Sequence, residues 1–104
     1  MINLTKEAST VIKNEIKKDS NKGYKLRIAV MRKDNLNFHY AIGFDNNITG
    51  NDQILKIDDI ELVISSISYD LCQDMTIDYV ELEKNKFNFI FLNPKDPNYV
   101  EPKE

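Results

Sequence analysis

Apolar residues along the chain recur with two periods, and the switch between them divides it into elements. Ala8, Val11, Ile12 and Ile16 return every three or four residues, which predicts a helix with one apolar stripe. Thr5 is a suitable N-cap, Glu7 suits the positive end of the dipole, and Leu4 can staple the entry. Lys17 and Lys18 suit the other end, and Asp19-Ser20-Asn21-Lys22-Gly23 is a stop signal. Beyond it the period drops to two. Leu26, Ile28 and Val30 alternate with Lys25, Arg27 and Ala29, predicting a half-buried strand over residues 25–31. A polar loop over 32–37 leads to a second strand, 38–44, in which Phe38, Tyr40 and Ile42 share one face.

Residues 45–52 are turn chemistry, rich in Asp, Asn and Gly. Short strands are expected over 53–57 and 60–64, joined as a hairpin by Asp58-Asp59. Ile67 and Leu71, four apart, suggest a short helix within 65–73. Strands over 76–83 and 87–92 then flank Lys84-Asn85-Lys86. Phe87, Phe89 and Phe91 face one way and Ile90 and Leu92 the other, so the last strand is expected to be central and covered on both sides. The tail, 95–104, follows Asn93-Pro94, carries Pro97 and Pro102, and has almost no apolar anchors. It is expected to be extended or frayed. The fold class is therefore α+β: one long helix, about six short strands in mainly antiparallel sheets forming a flattened sandwich, and a short second helix. The domain is expected to occupy residues 1–94.

With 104 residues and 41% hydrophobic positions, the chain can build one modest core. Its net charge of −3 and lack of a basic run argue against nucleic acid. No apolar run resembles a signal peptide or a membrane span, so the expected compartment is the cytoplasm. The three glycines, Gly23, Gly43 and Gly50, are too widely spaced for a phosphate-cradling loop. No nucleophile elbow or catalytic triad is suggested, so the chain is not expected to be an enzyme. Asp45-Asn46-Asn47 with Gly50 only loosely approaches a calcium loop, and turn preference explains it.

One cysteine, Cys72, can neither form an internal disulfide nor hold a cluster alone. It is expected to be a small buried hydrophobe. The single histidine, His39, together with Asp34 and Tyr40, is the one candidate set for an iron site built on oxygen and nitrogen ligands.

Three stretches resemble one known family. They are Ile2-Asn3-Leu4-Thr5-Lys6-Glu7-Ala8, Gly23-Tyr24-Lys25-Leu26-Arg27-Ile28-Ala29-Val30, and Thr76-Ile77-Asp78-Tyr79-Val80 followed by Phe87-Asn88-Phe89-Ile90-Phe91-Leu92-Asn93-Pro94. Their order and spacing are similar to those of the A-type iron–sulfur cluster biogenesis (HesB/IscA) family over about residues 2–94. The resemblance implies a HesB-like fold, a homodimer, and protein partners in the iron–sulfur assembly machinery. In that family three cysteines ligate the cluster, because soft thiolates hold iron–sulfur centres. Counted from the matched strands, those positions fall at Asn35, Val100 and Pro102, none of which supplies sulfur. Cys72 falls where the family has a hydrophobic residue.

The expectation is a degenerate member: no cofactor, no ligation through family cysteines, and a protein-interaction or accessory role near cluster assembly. The alternatives are an iron- or metal-binding protein using His39, Asp34 and Tyr40, or a small-ligand module with a pocket between the aromatic strand and the helix.

Overall fold

The computed structural model describes residues 2–99. A two-residue strand, β1 (Asn3–Leu4), leads into helix α1 (Lys6–Ile16). Thr5 caps α1 with extended backbone, and its Oγ1 accepts the Ala8 N–H at 3.2 Å. The same hydroxyl donates to Asp78 Oδ1 at 2.6 Å, tying the helix start to the strand beneath it. Ala8 and Ile12 of the apolar stripe are buried. A 3-10 turn follows (Asp19–Asn21), and Asn21 Nδ2 donates to the Glu15 carbonyl at 2.7 Å. Gly23 sits at φ +82°, left-handed backbone that glycine adopts at no steric cost.

The strands are β2 (Lys25–Arg32), β3 (Phe38–Asp45), β4 (Asp52–Ile57), β5 (Ile60–Ser65), β6 (Thr76–Glu83) and β7 (Lys86–Leu92), with helix α2 (Ser66–Leu71) between β5 and β6. They form a four-stranded sheet, β3-β2-β5-β4, and a three-stranded sheet, β1-β6-β7. The pairs β2–β3, β4–β5 and β6–β7 are antiparallel, whereas β1–β6 and β2–β5 run parallel. The expected α+β class and flattened form are both present, with extents of 37 × 37 × 21 Å. The Asp58-Asp59 hairpin is also there, with both residues at positive φ (52° and 64°) as a two-residue loop of this kind requires. The Ser9 hydroxyl donates to the Asp58 carboxylate and holds this turn against α1.

One core spans both sheets. Leu26, Ile28 and Val30 of β2 meet Ile60, Leu62 and Ile64 of β5, Ile77 of β6, and Ile12 of α1. Cys72 is buried in the same cluster, as its composition predicts.

Two expectations need correction. The last strand is not central: β7 is an edge of its sheet, and Phe87 is 51% exposed. The β6–β7 hairpin projects past the elements that cover Phe89 and Phe91, so the aromatic row outruns the core; Phe87 instead stacks on Tyr79 at 5.7 Å. The short helix exists, but Ile67 is 79% exposed and Ser68 is the residue it buries. Its start is set by Ser65, whose hydroxyl accepts the Ser68 N–H at 3.2 Å. The expectation of an extended or frayed tail over 95–104 falls partly on residues 100–104, outside the described residues. Residues 93–99 fold back through two turns, closed by Asp96 N–H to Asn93 O (3.0 Å) and Tyr99 N–H to Asp96 O (2.9 Å).

Candidate functional site

The β2–β3 loop and the returning 93–99 segment meet at one end of the molecule. The loop closes on itself first. Lys33 and Asp34 N–H groups donate to the Asn37 carbonyl at 2.9 and 3.3 Å. Asp34 Oδ1 accepts the Leu36 N–H at 2.8 Å, and Asn37 Nδ2 donates to both Asp34 oxygens at 3.1 Å. These donors, led by the Leu36 N–H, hold the Asp34 carboxyl below the usual carboxylate range. Asn35 is exposed on this loop.

The 93–99 segment is rooted at Asn93, which is 1% exposed. Its Nδ2 donates to the Leu71 carbonyl at 2.8 Å, and its Oδ1 accepts the Lys95 N–H at 3.1 Å. Asp96 then accepts from two sides: the Tyr40 hydroxyl at 2.5 Å and the Asn98 N–H at 2.8 Å. Asn98 Nδ2 reaches the loop, donating to the Leu36 carbonyl at 2.6 Å and to Asn37 Oδ1 at 3.0 Å. Tyr40 also stacks on Phe91 at 4.9 Å with the rings nearly parallel. Burial, reinforced by the bond to Asp96, drives the Tyr40 phenol far above its ordinary value, so it stays protonated.

The donor set at this end is amides, carboxylates and a neutral phenol. Cys72 does not join it as a thiolate. Its Sγ lies 3.6 Å from the Tyr69 carbonyl, and burial pushes the thiol up to about 11. A thiol kept protonated and enclosed is a poor nucleophile and a poor ligand.

The oxygen–nitrogen set is not gathered. His39 and Tyr40 are successive residues of β3; His39 is exposed, while Tyr40 turns inward to Asp96. Asp34 is occupied within its own loop. Among the described residues, no group of three His, Cys, Asp or Glu is placed to hold a metal ion. Val100 and Pro102 lie outside the described residues. The space between α1 and the aromatic strand, lined by Ile12, Leu26, Phe44 and Phe89, amounts to about 100 Å³, well under the roughly 300–1,000 Å³ of small-molecule sites.

Sequence reasoning passed over Asn93, Asp96 and Asn98. The available signal was Asn93-Pro94 and Asp96-Pro97-Asn98, a turn-forming pattern rather than a fraying one.

Residues 1–99 match the model of the iron-sulphur cluster biosynthesis family. The chain belongs to that family. Among curated proteins it is 27% identical over 93 residues to the iron-sulfur cluster insertion protein ErpA of Francisella philomiragia, covering 89% of this chain and 79% of ErpA. ErpA of Francisella tularensis subsp. novicida is 26% identical over the same share. Among solved structures, Escherichia coli SufA, involved in biosynthesis of iron-sulfur clusters, superposes with a TM-score of 0.71 at 21% identity, over 90% of this chain and 86% of SufA. IscA carrying a [2Fe-2S] cluster superposes at 0.72 with the same identity and coverage. The HesB-like fold inferred from the three sequence stretches is thus the observed one. A cluster as cargo does not fit the donor set of this chain: the sequence holds one sulfur of the thiolate kind, and it is buried in the core. Among the described residues, no helix is long and apolar enough to cross a membrane.

Proposed function

We propose that this chain serves iron–sulfur cluster biogenesis as a non-enzymatic accessory protein, acting through protein contacts rather than by ligating a cluster. The observation that carries the reading is a family scaffold kept over residues 1–99 alongside a single cysteine that is wholly buried. Asn35, Val100 and Pro102 stand where the resemblance puts the ligands, and Asn35 is an exposed carboxamide on the β2–β3 loop. A carboxamide is a weak, hard donor, poorly matched to sulfide-bridged iron. The partners on this reading are components of the assembly machinery and a second copy of the chain, in the cytoplasm.

The test is anaerobic reconstitution of the purified chain with ferrous iron and sulfide, followed by desalting. The expected product is colourless, without visible charge-transfer absorption. A stable brown chromophore at a fixed iron-to-protein ratio would overturn the reading. The competing reading, iron held by His39, Asp34 and Tyr40, is separated by calorimetric titration with ferrous and ferric iron. Micromolar binding abolished by His39→Ala would favour it, whereas an absence of heat would remove it.

A further inference from the structure

We propose that residues 93–99 form a strap latched to the β2–β3 loop, and that strap and loop open together as one unit, independently of global unfolding. The two ends of the strap differ in kind. The root is Asn93, buried and held by the Leu71 carbonyl at the end of α2. The far end is Asn98, exposed, whose single carboxamide bonds two loop acceptors, the Leu36 carbonyl and Asn37 Oδ1. Between them Asp96 couples the strap to β3 through the Tyr40 hydroxyl.

The loop has little else to hold it. Asp34, Asn35, Leu36 and Asn37 are all exposed, and the Asp34–Asn37 bonds are internal to the loop. Asn98 therefore makes the described side-chain bonds that bring the loop to another part of the chain, across more than sixty residues of sequence. Exposed hydrogen bonds each contribute little, so a segment closed by them opens more readily than the core. Because Asn98 is shared, its release frees both partners at once. Opening uncovers the Tyr40 hydroxyl and loosens the loop that carries Asn35. The inference concerns this chain's own bonds and does not rest on the accessory role.

Native-state hydrogen exchange on the full chain tests it, comparing the wild type with Asn98→Ala and with Tyr40→Phe. Loss of one such bond is worth roughly a threefold to tenfold change in the opening constant. Asn98→Ala removes two such bonds and is expected to speed exchange of the loop amides Lys33 and Asp34 and of the strap amides Asp96 and Tyr99 by a common factor of roughly tenfold to a hundredfold. Core amides of β2 and β6 should keep their wild-type rates. Tyr40→Phe, which cuts the other latch, should accelerate the same set. Acceleration confined to the strap, with loop amides unchanged, would overturn the proposal. Equal acceleration of core and loop amides in both variants would overturn it too, because opening would then be global.

Discussion

Ser68→Ala should be the most damaging removal of a single oxygen atom in the α2 region. The pairing of β2 with β5 covers only Leu26–Ile28 on β2. The next β2 residue whose backbone faces that side is Val30, and there β5 has already turned into α2. Val30 is fully buried, so its N–H and C=O must find partners inside the protein. Ser68 supplies both: its Oγ accepts the Val30 N–H at 3.1 Å and donates to the Val30 carbonyl at 3.0 Å. Ser68 is itself 4% exposed. Alanine fits the space but strands two buried backbone groups, at about 1–3 kcal/mol each. With partial relaxation the expected loss is about 3 kcal/mol, a fall in Tm of roughly 12 °C or more for a domain of this size. Urea unfolding followed by circular dichroism measures it, with the slope unchanged. Ser65→Ala is the control, because it removes only the α2 cap, at about 1 kcal/mol. A Ser68→Ala loss no larger than that of Ser65→Ala would refute the claim that this hydroxyl replaces the missing strand.

Two further outcomes follow from titrating groups. Burial raises the Cys72 thiol from 9.0 to about 11, so the folded chain keeps a proton that the unfolded chain releases first. Stability should fall as pH rises between those values, by an amount on the order of 2 kcal/mol. Chemical denaturation from neutral to alkaline pH measures this slope, and Cys72→Ala should remove it. Arg27 bonds Asp52 in bidentate fashion (2.9 and 2.7 Å) and Asp45 at 2.6 Å, joining β2, β3 and β4. Asp52 is held far below its ordinary value mainly by Arg27; Asp45 is lowered first by the Asn47 N–H and then by Arg27. Their contribution is present above about pH 4 and is lost as pH falls through the lower folded-state values. Arg27→Met should therefore lower the urea midpoint at neutral pH and flatten its decline in acid; an unchanged acid limb would count against the cluster.

The readable parts of the fold are those where one local signal sufficed. The α1 stripe and its Thr5 cap, the alternation in β2 and β3, and the Asp58-Asp59 turn each need only neighbouring residues to specify them. The errors fell where a residue's role depends on distant chain. Phe87 looks like core because its own strand alternates well, yet it lies half exposed, stacked only on its hairpin neighbour Tyr79 among the described rings. Ser68 carries no local signal of its own, but the end of β5 leaves the Val30 backbone for it to pair. Asn98 sits in a proline-broken tail and becomes a bridge only because the tail returns to a loop formed much earlier.

Composition alone fixes that each chain carries a single thiol, since donor atoms are counted along the chain and not arranged by folding. Residue order alone carries the family scaffold, because hydrophobic period and turn chemistry act over a few residues. Which strand became an edge, which hydroxyl took over a backbone pair, and which amide joined loop to tail were decided by the packing of the two sheets. Those outcomes depend on where one element runs out and another begins in space, and no window of sequence contains that distance.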